Sequence, residues 1–196
     1  GLHPVYLDDH TDADVEALAV AVATARPVAI GEIGLDWFVE QLDRERQQQL
    51  FDRQLAIARA NDLPVILHVR RAHDAVLATL KRARVRGGIA HAYNGSLDQA
   101  WQYLDLGFRL GFGGMLTFER STRLRRLARE LPLDAIVLET DAPDLTVASH
   151  RGQRNSPEYL PECLAALAEV RGEDLDTIAA RTTANARAAL GLPAAA

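Results

Sequence analysis

Four short apolar runs each deliver a residue that can bind a metal, and this recurrence limits the fold more than any other feature of the chain. Val28 to Asp36 holds Glu32 inside a glycine-punctuated apolar stretch, Leu63 to Val69 reaches His68, and Gly87 to Ala92 reaches His91. Leu133 to Leu138 leads through Glu139 and Thr140 to Asp141. An unpaired carboxylate in such surroundings costs several kcal/mol, so Glu32 demands a cation or hydrogen-bond donors. Short β-branched runs bounded by glycine read as buried strands. A lone buried histidine is usually hydrogen-bonded core, and a strand-end aspartate usually caps the next helix. Four in succession at equivalent ends instead match the rule that α/β barrels carry their chemistry where strands run into the following loops. The expectation is one shared metal site.

Composition sets the outer limits. The chain has 196 residues, 48% hydrophobic and 25% charged, which is ordinary for one globular core. A formal net charge of −5 creates no overall basic field for nucleic acid or an acidic membrane, so a phosphate substrate would have to be met locally. Cys163 is the only cysteine, which excludes an intrachain disulfide and reads as a small apolar helix residue. No run is long enough to span a bilayer and no secretory pattern opens the chain, so the expected location is the cytoplasm, with no membrane and no obligate protein partner.

Read in order, the chain alternates strand and helix without a linker. Gly1 to Asp9 reads as loop or strand end, and Thr11 or Asp12 caps a helix to about Ala25. Helices are expected over Gln41 to Ala60, Asp74 to Arg84, from the Ser96 cap to Gly107, and over Ser121 to Leu131. In the last of these, Arg123, Arg125, Arg126 and Arg129 read as a solvated face. Phe108 to Gly114 is a strand whose glycines at 111, 113 and 114 suit either packing inside a barrel or approach to a phosphate. Helices over Glu158 to Val170 and Leu175 to Leu190 close the chain, with Pro193 and the alanines as a tail. Five strands are counted from Glu32 onward. An open doubly wound sheet is the competing architecture, but it would place its site at a switch point rather than gather ligands from successive strand ends.

The motifs Gly1-Leu2-His3-Pro4, Gly31-Glu32-Ile33-Gly34-Leu35-Asp36, Leu67-His68, His91-Ala92-Tyr93-Asn94-Gly95, Glu139-Thr140-Asp141-Ala142-Pro143 and Asn155-Ser156-Pro157 occur in this order. In this respect the chain resembles the TatD family of metal-dependent deoxyribonucleases over nearly its whole length. The resemblance implies an α/β fold, a TIM-type (β/α)₈ barrel of the metal-dependent hydrolase superfamily, that holds two divalent ions and cleaves phosphodiesters as a DNase with exonuclease character. It implies Glu32 as a bridging carboxylate, His68 and His91 as ligands of one ion, and Asp141 as ligand of the other and proton acceptor. DNA is then the expected substrate.

The family opens with an Asp-x-His-x-His strand, and no His-x-His occurs here. Residues 1–196 are therefore expected to be a single barrel domain lacking its first two to three strands, with one ion retained rather than two and with little nuclease activity. His3, by analogy near the barrel mouth, is expected to hold a phosphate oxygen. Arg70 and Arg71 are further substrate-binding candidates, of which strand alternation lets only one face the mouth. Asn94 and Asn155 read more readily as turn residues than as ligands. Imidazole with carboxylate suits Zn²⁺, with Mn²⁺ or Mg²⁺ as alternatives. Two other readings stand beside the nuclease: a metal-dependent hydrolase of a small ester, lactone or amide, and an inactive fragment.

Overall fold

Each strand is short and flanked by a helix start signal, and this local grammar produces the architecture. In the computed structural model, which describes residues 1–194, β1 (Ile30–Asp36), β2 (Val65–Arg70), β3 (Gly88–Ala90), β4 (Phe108–Phe112) and β5 (Ile136–Leu138) form one sheet in the order β1-β2-β3-β4-β5. Every neighbouring pair is parallel. Strand order that follows chain order, with a helix in each connection, is the arrangement of a (β/α) barrel wall; a doubly wound sheet reverses its order midway. The end of the alanine tail, residues 195 and 196, lies outside the described residues.

The connecting helices are α1 (Asp12–Ala25), α2 (Arg44–Ala60), α3 (His73–Ala83), α4 (Leu97–Asp105) and α5 (Thr122–Glu130), followed by α6 (Leu160–Arg171) and α7 (Leu175–Ala189). Their starts follow capping chemistry. Ser96 accepts from Gln99 N at 3.1 Å while the Gln99 side chain returns to Ser96 N at 2.9 Å, a complete capping box. Asp43 accepts from the amides of Glu45 and Arg46, so α2 begins three residues after Gln41, where periodicity alone would start it. The core joins Phe51 and Leu55 of α2, Val76 and Leu80 of α3, Tyr103 of α4, Leu127 of α5 and Leu167 of α6 to the strands. Cys163 is fully buried in α6. No helix among the described residues is long and apolar enough to cross a membrane.

Of the two readings of Gly1 to Asp9, loop or strand end, the strand end gives way. Residues Pro4–Asp9 form a 3₁₀ turn rather than a strand end, because His3 Nδ1 accepts from Val5 N at 3.1 Å and Pro4 suits the first helical position. The arginines of α5 do form a solvated face, with Arg123, Arg126 and Arg129 exposed and Arg125 half-buried, yet their tips reach back to the protein. Arg123 donates to the carbonyls of Asn94 and Gly95, Arg125 to that of Leu116 and to Glu169, and Arg129 to that of Val170, while Arg126 pairs with Glu130. Guanidinium forks satisfy backbone carbonyls that loops and helix ends leave unpaired.

Gly34 opens a prediction. It lies opposite His68 in the β1–β2 register with φ +147°, and a Cβ there would run into the His68 carbonyl oxygen. Gly34→Ala should cost about 2–3 kcal/mol, roughly 5–10 °C in Tm for a chain of this size, measured by thermal unfolding. An unchanged Tm would mean the strand pair tolerates the intrusion.

Candidate metal centre

Glu32 reaches the barrel mouth because β1 is irregular where it sits. From Ile30 to Ile33 the strand advances three residues while its partner advances two, from Val65 to Leu67. Such a bulge re-aims a side chain, and bulges concentrate beside active sites. Its carboxylate oxygen Oε2 then lies 3.7 Å from His68 Nδ1, 3.7 Å from His91 Nε2 and 3.6 Å from His3 Nε2. Asp141 Oδ1 is 3.3 Å from His91 Nε2. The structure thus gathers Glu32, His68, His91 and Asp141, with His3 against them, on the floor of a cavity of about 830 Å³. Arg70 lines this cavity and Arg71 does not.

Which nitrogen each imidazole turns inward is set by what stands behind it. His68 Nε2 is 2.9 Å from Asp36 Oδ2, and His91 Nδ1 is 3.2 Å from Glu139 Oε1. With a cation in place, each ring would donate one N–H to the carboxylate behind it and turn its other nitrogen toward Glu32, the arrangement in which a histidine serves as a metal ligand. His3 is built the other way. Its Nδ1 accepts from Val5 N, so Nε2 carries the proton and acts as a donor. His3 belongs near Glu32 by distance, but as a group that binds an anion rather than a cation.

The electrostatics agree with a cation site. Burial works to lower the pKa of His91, yet the Glu139 hydrogen bond and the charges of Glu139, Glu32 and Asp141 outweigh it and raise the pKa to about 9. Burial pushes Asp141 above the usual carboxylate range, with Glu32, Glu139 and Asp144 adding to the shift and His91 opposing it. The imidazoles of His3 and His68, then the charges of His91 and His3, hold Glu32 well below that range against its burial. Carboxylates crowd this floor, and positive charge relieves them. Glu32, His91 and Asp141 form one possible ligand group, and His68 meets Glu32 as a second donor group, Glu32 being common to both. Donor spacings of 3.3 to 3.7 Å approach the edge of a tetrahedron, about 3.4 Å for bonds of about 2.0–2.1 Å. The residues fit a divalent ion held by nitrogen and oxygen.

Two functional residues escaped the reading of the sequence. Asp36 is fully buried, and its Oδ1 accepts from Phe38 N and Val39 N while Oδ2 holds His68. A buried aspartate closing an apolar strand was the available signal. Glu139 reaches His91 because Gly111, beside it on β4, leaves room: a Cβ there would collide with the Glu139 carboxylate. Gly111 is thus a packing glycine, while Gly114, against the Leu145 carbonyl, admits the following loop. Asn155 is buried and staples the loop after β5 by donating to Thr140 O and Asp144 O, both at 2.6 Å. Asn94 accepts from His73 Nε2 at 3.0 Å.

A parallel sheet in sequential order, with carboxylates and imidazoles gathered at its C-terminal strand ends, defines a TIM-barrel-type metal-dependent hydrolase. The family profile described as TatD related DNase matches residues 1–191, and the chain belongs to that family. It is 45% identical over 182 residues to the Escherichia coli K12 protein named uncharacterized metal-dependent hydrolase YjjV, a match covering 91% of this chain and 70% of that one. It is 37% identical over 199 residues to the Klebsiella pneumoniae protein named 3'-5' ssDNA/RNA exonuclease TatD, covering 98% and 76%. The crystal structure of E. coli YjjV superposes with a TM-score of 0.94 at 43% identity, over 98% of this chain and 76% of that one.

Asp36→Asn tests the orienting role directly. Replacing a carboxylate behind a ligating histidine typically weakens metal binding about 10- to 100-fold, and calorimetric titration with Zn²⁺ should show a loss of that size. Unchanged affinity would remove Asp36 from the metal centre.

Proposed function

We propose that the chain hydrolyses phosphodiester bonds of DNA in a metal-dependent reaction, releasing nucleotides from a strand end, with Zn²⁺ as the favoured ion. The observation that carries this reading is the opposed set of the histidines. His68 and His91, each backed by a carboxylate, turn their other nitrogens toward Glu32 as ligands of a cation would, whereas His3 turns an N–H toward the same carboxylate at the cavity edge. The name of the Klebsiella relative supports the substrate class.

Bound at this cluster, divalent ions supply Lewis acidity toward a phosphoryl oxygen and lower the pKa of a coordinated water. Glu32 holds the two donor groups in one register. Asp141, beside His91 and open to the cavity, orients the attacking water and accepts its proton. The His3 N–H holds a non-bridging phosphoryl oxygen, and Arg70 at the wall contacts the bound strand.

The test is hydrolysis of end-labelled single-stranded DNA by protein stripped with a chelator and then reloaded with Zn²⁺ or Mn²⁺. Stripping should abolish turnover and reloading restore it, with products shortening from one end. His3→Ala removes one charge-assisted hydrogen bond worth about 1.5–3 kcal/mol, roughly ten- to hundredfold in rate. Glu32→Gln should cost more, because it disorganises both donor groups. Turnover of small carboxylic esters with none of DNA, or an equal loss in the two variants, would overturn the proposal.

A further inference from the structure

Tyr6, Met115 and Leu145 are exposed apolar side chains that line this cavity. Tyr6 is 61% exposed and lines it, with its ring centroid 5.7 Å from that of His3. Phe38 is 42% exposed and stands just beyond β1, where its amide bonds the same Asp36 carboxylate that orients His68. The Arg70 guanidinium lies 3.6 Å from the Phe38 ring centroid, and that of Arg71 lies 4.7 Å from it. Met115 and Leu145 are likewise exposed on the far wall.

Nothing in the catalytic chemistry requires exposed rings here. A phosphodiester group needs cations and N–H donors, which the floor already supplies, whereas aromatic rings and guanidinium planes match the faces of nucleobases. An Arg70 held over Phe38 has already given up most of its rotamer freedom, so ligand binding does not have to order it. The net charge of −5 adds weight to this, since a chain without a basic field gains little long-range attraction for a polyanion and must draw affinity from local contacts. Stacking also selects substrate form, because duplex bases bury their faces against each other and unpaired bases do not.

We propose, resting on the phosphodiesterase reading above, that Tyr6 and the Phe38-backed guanidinium of Arg70 form a stacking ledge that takes an unpaired nucleobase beside the scissile phosphate. The ledge reads a π-face and not a base edge, so it accepts any base and rejects paired ones.

The experiment measures binding of two fluorescently labelled strands of equal length by anisotropy, oligothymidylate and the same backbone with abasic sites, to the metal-loaded protein. A chelator-treated sample run in parallel separates binding from turnover. The native protein should bind the base-bearing strand roughly tenfold more tightly, the value expected for one stacked base. Tyr6→Ala should erase most of that ratio, Tyr6→Phe should retain it, and Phe38→Ala should reduce it by releasing Arg70. Equal binding of the two strands by the native protein, or a ratio that survives Tyr6→Ala, would overturn the ledge. A base preference without DNA hydrolysis would sink the phosphodiesterase reading and leave the ledge standing; hydrolysis without the preference would do the reverse.

Discussion

The Asp36–His68 contact is the interaction on which the site depends. A fully buried carboxylate without partners would cost several kcal/mol, and here both oxygens are occupied, Oδ1 by two backbone amides and Oδ2 by the imidazole. Its own backbone is clamped as well. Gln47 of α2 accepts from Asp36 N at 2.8 Å and donates to Asp36 O at 2.9 Å, so the strand end cannot drift without breaking buried hydrogen bonds. A rigid Asp36 fixes the plane of the His68 ring, and with it which ring nitrogen faces Glu32.

The same logic repeats at His91, where Glu139 does what Asp36 does at His68. The two orienting carboxylates sit at opposite ends of the sheet, one on β1 and one just past β5, so the site closes only when the strands are assembled in order. The loops around it are held by long polar side chains. Arg123 grips the loop after β3 and Asn155 the loop after β5, each through backbone carbonyls. Short strands leave many such carbonyls free, which is why these loops need guanidinium and amide donors rather than apolar contacts.

On the proposed reading, the acidic floor and the aromatic and cationic side chains at the cavity wall would divide the work of recognition. Glu32, Glu139 and Asp141 concentrate negative charge at the floor, and Tyr6 and Arg70 line the same cavity. A chain of net negative charge can therefore contain a local surface suited to an anionic substrate.

The sequence by itself determined the strand count, the alternation with helices and the residue types at the strand ends, because those depend on local periodicity, glycine punctuation and capping. Glu32, His68, His91 and Asp141 were legible since each breaks an apolar pattern at an equivalent place. The roles of Asp36 and Glu139 were decided only by the tertiary structure. Asp36 meets His68 across 32 positions of chain, and no local pattern encodes which ring nitrogen a distant carboxylate will face. The arginines of α5 teach a related lesson: their helical spacing reads as a solvated stripe, which their exposure bears out, and only the folded neighbours supply the carbonyls that three of their tips reach. Periodicity reports which face a side chain leaves from, while its partner is set by whatever the fold brings to that face.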